Sequence, residues 1–206
     1  MKYLIVILIG YLLGCSSMSY YLSKLNNINF SNKGSGNLGA SNTVILLGWK
    51  AGILVALHDA LKAFLAVIIA RYLFVDVNYI GALAGIAAVI GHIFPFYLKF
   101  KGGKGFASYI GMTIALDWKF AIALLIFGII ITLITDYIVT ATFTTVIAVP
   151  TYFYIIHLNF IAACILLVGT IIIVYKHREN ITRLRNGTEI GVRSAAKGEN
   201  RVKKEL

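Results

Sequence analysis

Charge is what this chain has little of. Only 13% of its 206 residues are charged, against about 25% in a soluble domain. Acids are scarcest: eight Asp and Glu stand against nineteen Lys and Arg, for a formal net charge of +11. With 59% hydrophobic residues, so few charges cannot keep a surface in water, which excludes a soluble globular enzyme. The same apolar excess excludes a disordered chain. Two cysteines are too few for a disulfide scaffold. Cys15 and Cys164 both sit in apolar blocks without CxxC spacing and read as small buried hydrophobes. Only two prolines occur, and no internal repeat or low-complexity segment stands out. What remains, at a mean hydropathy of +0.85, is an all-α polytopic membrane protein with basic water-facing parts.

A spanning helix needs about 20 apolar residues, with about 17 tolerated. Residues 3–21, 53–75, 79–98, 137–156 and 159–175 qualify. The stretch 106–135 is ambiguous, because Asp117-Trp118-Lys119 interrupts it. Charge resolves the ambiguity. The connection 22–52 carries Lys24, Lys33 and Lys50 and no acid; 99–105 carries Lys99, Lys101 and Lys104; the tail from Lys176 carries nine bases and four acids. Lys/Arg-rich connections face the cytoplasm, so these three belong on one side. That demands an even number of crossings between Gly105 and Lys176, hence a hairpin in 106–135. Seven helices result, one of them short, with the N-terminus out and the C-terminus in. Residues 1–206 form a single membrane domain, of which 176–206 is a basic cytoplasmic tail. The piece 106–116 is about 16 Å long at 1.5 Å per residue, and crosses only if tilted or sheltered by protein. Arg71, near the outer end of the second span, is expected to snorkel, and His157 to lie on the outer surface.

Polar residues collect in three of the inner segments. Lys33-Gly34-Ser35-Gly36-Asn37-Leu38-Gly39-Ala40-Ser41-Asn42 has the composition of an anion-binding nest, and equally of a flexible loop. The run Gly91-His92-Ile93-Phe94-Pro95 leads to Lys101-Gly102-Gly103-Lys104-Gly105, which joins bare backbone amides to ammonium groups as a phosphate requires. The Walker spacing is absent, and a basic turn that merely sets topology explains the glycines less well. Beyond the last span, His177, Asn180 and Leu184 share a face if the helix continues. Asp59 and Lys62, at i and i+3 within the second span beside His58, read as a buried ion pair or a substrate contact.

Taken in order, these segments resemble the bacterial glycerol-3-phosphate acyltransferases that use acyl phosphate, the PlsY family. The resemblance lies in G-S-G-N-x-G-x-[TS]-N from Gly34 to Asn42, in G-H-x-F-P-x-[FY]-x-x-F-K-G-G-K-G-x-A-[TS] from Gly91 to Ser108, and in H-x-x-N-I-x-R-L-x-x-G-x-E from His177 to Glu189. It implies transfer of a fatty acyl group from acyl phosphate to the 1-hydroxyl of sn-glycerol 3-phosphate, giving lysophosphatidic acid and inorganic phosphate. The implied catalytic residues are Ser35, Lys104, His177 and Asn180. The implied substrate contacts are Gly34, Gly36, Asn37, Gly39, Asn42, His92, Lys101, Gly102, Gly103, Gly105, Asp59, Lys62 and Glu189. The resemblance calls for no metal and no cofactor. It places the chain in the bacterial inner membrane among lipids, its active site facing the cytoplasm.

Two departures stand out. The family commonly carries an arginine three residues after the asparagine that closes the first motif, where this chain has Ile45, and another upstream, where it has Ser31 or Asn32. Either Lys33, Lys50 or Lys101 replaces them, or the chain is a divergent, low-activity member with weak or altered substrate preference. Rival readings are a phosphate-ester or anion transporter, which calls for paired broken helices in two repeated halves, and a lipoprotein modified at Cys15 after an apolar leader. The net charge also invites nucleic acid as a partner, but its bases lie beside spans, where they set topology and meet anionic headgroups.

Overall fold

A computed structural model describes residues 1–197; the last nine residues of the basic tail lie outside the described residues. Helices α1 (Lys2–Cys15), α2 (Met18–Leu25), α3 (Ala40–Leu47), α4 (Trp49–Leu73) and α5 (Ile80–Ile93) are followed by a short 3₁₀ turn, Phe96–Leu98. Then come α6 (Phe106–Leu116), α7 (Trp118–Thr135), α8 (Ile138–Ile155), α9 (Phe160–Lys176), α10 (Arg178–Arg185) and α11 (Val192–Lys197). The hairpin expected in 106–135 is present. It breaks at Asp117, whose carboxylate caps α7 by accepting from the Phe120 amide at 3.0 Å.

Five segments are long and apolar enough to cross a bilayer: Lys2–Leu25, Trp49–Leu73, Ile80–Leu98, Trp118–Thr135 and Ile138–Ile155. A sixth is α9 with α10, bent by 49° where they meet, and α6 is the short seventh helix. Small residues bring the central helices into backbone contact, as lipid-embedded packing requires. A Cβ at Gly10 or Gly14 of α1 would overlap the Ala84 or Ala88 carbonyl oxygen of α5, and one at Gly111 of α6 would overlap the Ala60 oxygen of α4. Leu57, Leu61, Ile126, Ile129, Ile130 and Leu133 face outward, where water would be hostile and acyl chains are not.

The short helix survives because both its surroundings and its end are protein. Residues Ser108–Thr113 are buried. Arg71 donates to the carbonyls of Ala115 at 2.7 Å and Leu116 at 3.3 Å, capping α6 with positive charge at its negative end. Arg71 therefore does not snorkel free: the unsatisfied carbonyls of a helix end inside an apolar layer hold it. His157 is exposed as expected and touches Asp117 at 3.4 Å.

Contacts sort the connections onto two ends. Arg71 with Ala115, Tyr152 with Asp117, and Tyr3 with Tyr79 gather at one. At the other, the Lys101–Gly105 turn meets the first glycine loop and α10, and Val192 donates to the Asp136 carbonyl at 2.8 Å. All three motif segments lie at this second end.

Three sequence expectations change in detail. The first span is broken: Ser16 is extended, and Ser17 caps α2 by accepting from the Tyr20 amide. The connection 22–52 contains α3 and the start of α4. The last span does not run on straight, so His177 sits at the bend and is not on a continuous face with Leu184. Cys15 is buried as expected and its carbonyl accepts from the Tyr97 hydroxyl at 2.8 Å, whereas Cys164 is exposed and not the buried hydrophobe expected.

Candidate active site

The Lys101–Gly105 turn is folded back on the end of α5. The amide of Gly102 donates to the Ile93 carbonyl at 3.0 Å and that of Gly103 to the His92 carbonyl at 3.1 Å. A Cβ at Gly102 would overlap the His92 carbonyl oxygen, and one at Gly103 would overlap the His92 ring and crowd the Leu38 carbonyl. Glycine is needed here for close approach. The expectation of bare amides at Gly102 and Gly103 is thus corrected: α5 occupies them. The free donors lie one step on, at the start of α6, where the first amides of a helix have no internal partner and carry its positive end.

Lys104 opens that helix start and reaches α10. Its ammonium donates to Asn180 Oδ1 at 2.5 Å. Asn180 Nδ2 donates to Glu189 Oε1 at 2.6 Å, and Arg183 Nε donates to Glu189 Oε2 at 2.7 Å. This chain of alternating donors and acceptors fixes which way the Asn180 amide points. It also assigns Glu189 its part, which is to tether Asn180 and Arg183. Burial, and then the nearby Arg183 charge, push the Lys104 ammonium down to about 8, while the Glu189 carboxylate works the other way. His177, just past α9, is buried; its Nδ1 lies 2.8 Å from the Ile173 carbonyl, an atom that only accepts. The proton is therefore on Nδ1, and Nε2 keeps its lone pair. Burial pushes His177 down to about 4, opposed by that carbonyl and reinforced by Lys104, so the ring is neutral at pH 7.

The glycine loop is ordered from inside. Asn42, wholly buried, accepts from the Ser35 amide at 2.7 Å and donates to the carbonyls of Phe30 and Lys33, both at 3.2 Å. Asn42 was expected among the substrate contacts; with its amide occupied by the loop, it is the scaffold instead. Gly34 and Gly36 take positive φ, 61° and 68°. Leu38 is the loop's link to Gly103. Asn37 and Gly39 flank it, Gly39 as the N-cap of α3. Among the described residues the Ser35 hydroxyl has no hydrogen-bond partner, and neither do the ammonium groups of Lys33, Lys50 and Lys101. Ile45 is buried against Gly34.

Asp59, Lys62 and His92 form a separate knot between α4, α5 and the α1–α2 break. Lys62 Nζ lies 2.9 Å from Asp59, 2.9 Å from His92 Nδ1 and 2.6 Å from the Ser16 carbonyl. Asp59 and Lys62 are 2% and 5% exposed, so neither offers itself to a ligand. That corrects the expectation of direct contact for this pair. Sequence reading missed Ser16 and Arg183, the partners at either margin of the site. A break signal in Ser16-Ser17 and the Arg183–Glu189 spacing were the traces they left.

A bundle of small-residue-packed helices, with a basic, glycine-lined end holding a neutral histidine, defines a membrane-embedded enzyme for anionic substrates. The family described as "Glycerol-3-phosphate acyltransferase" matches residues 4–187. The chain is 40% identical over 196 residues to glycerol-3-phosphate acyltransferase 1 of Oceanobacillus iheyensis, covering 89% of this chain and 92% of that one. It is 37% identical to the enzyme of that name from Coxiella burnetii, covering 92% and 97%. Among solved structures it is similar to the crystal structure of PlsY (YgiH), an integral membrane glycerol 3-phosphate acyltransferase, in its glycerol 3-phosphate form. There the TM-score is 0.87 at 32% identity, over 94% of this chain and 97% of that one. The lysophosphatidic acid form gives a TM-score of 0.83 at 32% identity, over 93% and 95%. The chain belongs to the glycerol-3-phosphate acyltransferase family.

Proposed function

We propose that this protein moves a fatty acyl group from acyl phosphate to the 1-hydroxyl of sn-glycerol 3-phosphate in the bacterial inner membrane, its motif end facing the cytoplasm. Lysophosphatidic acid and inorganic phosphate are the products. The observation that carries the reading is the hydrogen-bonded chain Lys104–Asn180–Glu189–Arg183, which closes the third motif onto the second. Leu38 brings the first motif to the same turn. The names of the relatives, and the two forms in which PlsY was solved, agree with an acyltransferase acting on glycerol 3-phosphate.

The donor follows from chemistry. Acyl phosphate is an activated anhydride with a good leaving group, so no acyl-enzyme is required, and the Ser35 hydroxyl has no base beside it. The task is to hold two phosphates and align a hydroxyl with a carbonyl carbon. Lys104 and the amides opening α6 take one phosphate; Ser35, Asn37 and the glycine loop, with Lys33 or Lys101 nearby, take the other. Asn180 and the bare Nε2 of His177 orient the glycerol hydroxyl. The proton passes to His177 or to the phosphate of the donor, since both can accept it. The acyl chain lies between helices, open to lipid.

The test is lysophosphatidic acid formation by the purified protein with glycerol 3-phosphate and each of three donors, read as release of the donor's own leaving group: inorganic phosphate from acyl phosphate, free thiol from acyl-CoA or acyl carrier protein. Release is expected from acyl phosphate alone. Release no greater than that of a Lys104→Ala variant would end the proposal, and use of a thioester would replace the donor.

A further inference from the structure

We propose that the Asp59–Lys62 pair exists to hold His92 in one tautomer, with its proton on Nε2, so that the ring donates a hydrogen bond to a substrate phosphate at the Lys101–Gly105 turn. This rests on the phosphate-binding role proposed above for that turn.

An ammonium has three donors and no acceptor. Lys62 places all three: on the Ser16 carbonyl at 2.6 Å, on Asp59 Oδ1 at 2.9 Å and on His92 Nδ1 at 2.9 Å. A nitrogen facing an ammonium at that distance has to be the bare one. Asp59 Oδ1 also lies 3.3 Å from His92 Nδ1, and a carboxylate alone would draw the proton to that nitrogen. The shorter contact comes from a group that can only donate, and it decides the matter. The proton then sits on Nε2, which faces Gly103 from beneath: a Cβ there would collide with Nε2 and Cε1. Among the described residues Nε2 has no hydrogen-bond partner, although His92 is only 6% exposed. An unpartnered donor on the accessible edge of an otherwise buried ring, facing a glycine next to Lys104, is a binding group open to an acceptor.

The arrangement also accounts for a buried ion pair that touches no substrate. Charges inside a membrane protein are costly and commonly functional. Asp59 holds Lys62, Lys62 holds His92, and the break between α1 and α2 supplies the third acceptor. His58 borders the knot, its Nε2 3.1 Å from Ser16 Oγ and its Nδ1 3.6 Å from Asp59, too far for a hydrogen bond. Lys62 and Asp59 are positioning residues acting through His92.

The experiment uses full-length protein in lipid nanodiscs with ¹⁵N-labelled histidine, the His92 signals being assigned by their loss in His92→Phe. Wild type is expected to show a bare Nδ1 and a protonated Nε2, the latter shifting when glycerol 3-phosphate or inorganic phosphate is added. In Lys62→Met the proton should move to Nδ1, facing Asp59. His92→Phe should raise the KM for a phosphate substrate roughly tenfold or more, the worth of a hydrogen bond to a charged group, with a smaller change in kcat. His92→Gln, whose amide can donate from about the Nε2 position, should recover most of that loss. If His92→Phe does not fold, His92→Gln supplies the assignment, and if Lys62→Met does not fold, the wild-type spectrum decides: a proton on Nδ1, or an Nε2 indifferent to phosphate, overturns the inference. These readings need no turnover. An inactive enzyme with the expected spectrum would count against the proposed reaction and not against this role for His92.

Discussion

His92 and His177 lie near the same turn with opposite tautomers, and the difference is one of partners. A cation that can only donate faces Nδ1 of the first; a carbonyl that can only accept faces Nδ1 of the second. One ring is thereby made to donate from Nε2 and the other to accept there, which suits a site that must hold an anion and a hydroxyl side by side. Lys104 supplies the charge, and its titration predicts a pH limit. Burial lowers it to about 8, so as pH rises through that value the free enzyme loses the cation proposed to attract phosphate. We expect kcat/KM for the phosphate substrate to fall above about pH 8, while His177, down near 4, adds no break between pH 5 and 8 beyond the second ionisation of the substrate phosphate at about pH 6. Bound phosphate favours the charged ammonium, so kcat should fall at higher pH than kcat/KM does. Glu189 raises Lys104; Glu189→Gln should therefore move the break in kcat/KM to lower pH. A break that stays in place in that variant would show that another group sets the limit.

At the scale of the helix, the same glycines that read as loop chemistry also act as packing. Gly111 has no place in any motif, yet its Cα lies against the backbone of α4, where an added Cβ would meet the Ala60 carbonyl and its neighbours. Backbone atoms cannot move aside as a side chain tip can. Gly111→Ala should force α6 from α4 and cost about 1–3 kcal/mol, the range for overpacking. Gly128→Ala in α7 meets only the Ala141 Cβ at 3.4 Å and should leave thermal unfolding nearly unchanged. Similar melting temperatures for the two variants would contradict the close approach. The helices and the three motif segments were legible from sequence because apolar run length, Lys/Arg placement and glycine clusters are local properties. What stayed hidden depends on partners far along the chain. Nothing near residue 102 announces that α5 carbonyls occupy the Gly102 and Gly103 amides. Nothing near Arg71 shows a helix end 44 residues on waiting for its guanidinium. Asn42 reads as a ligand by motif, and only its burial reveals that it braces the loop from within.

Across the whole molecule, charge is divided between the two ends, and that division predicts how the protein lies in the membrane. The end with Asp76 and Asp117 carries Lys2, Arg71 and Lys119, three bases to two acids. The motif end carries Lys24, Lys33, Lys50, Lys99, Lys101, Lys104, Lys176, Arg178, Arg183, Arg185 and Arg193, with Asp136, Glu179 and Glu189 as its only acids among the described residues. Lys62 and Asp59 cancel inside the bundle. Basic connections resist translocation, and the membrane potential, worth about 2.3 kcal/mol per charge per 100 mV, favours cations within. The motif end is therefore expected to face the cytoplasm, where a water-borne alcohol and an acyl group drawn from the inner leaflet can meet. Single cysteines in a Cys15→Ala, Cys164→Ala background decide this. At Asn78 and Lys119, exposed at the far end, a membrane-impermeant thiol reagent should label them in intact cells. At Asn32 and Asn186, exposed at the motif end, labelling should require inside-out vesicles. Labelling of Asn32→Cys or Asn186→Cys from outside would invert the orientation and remove the active site from its substrates.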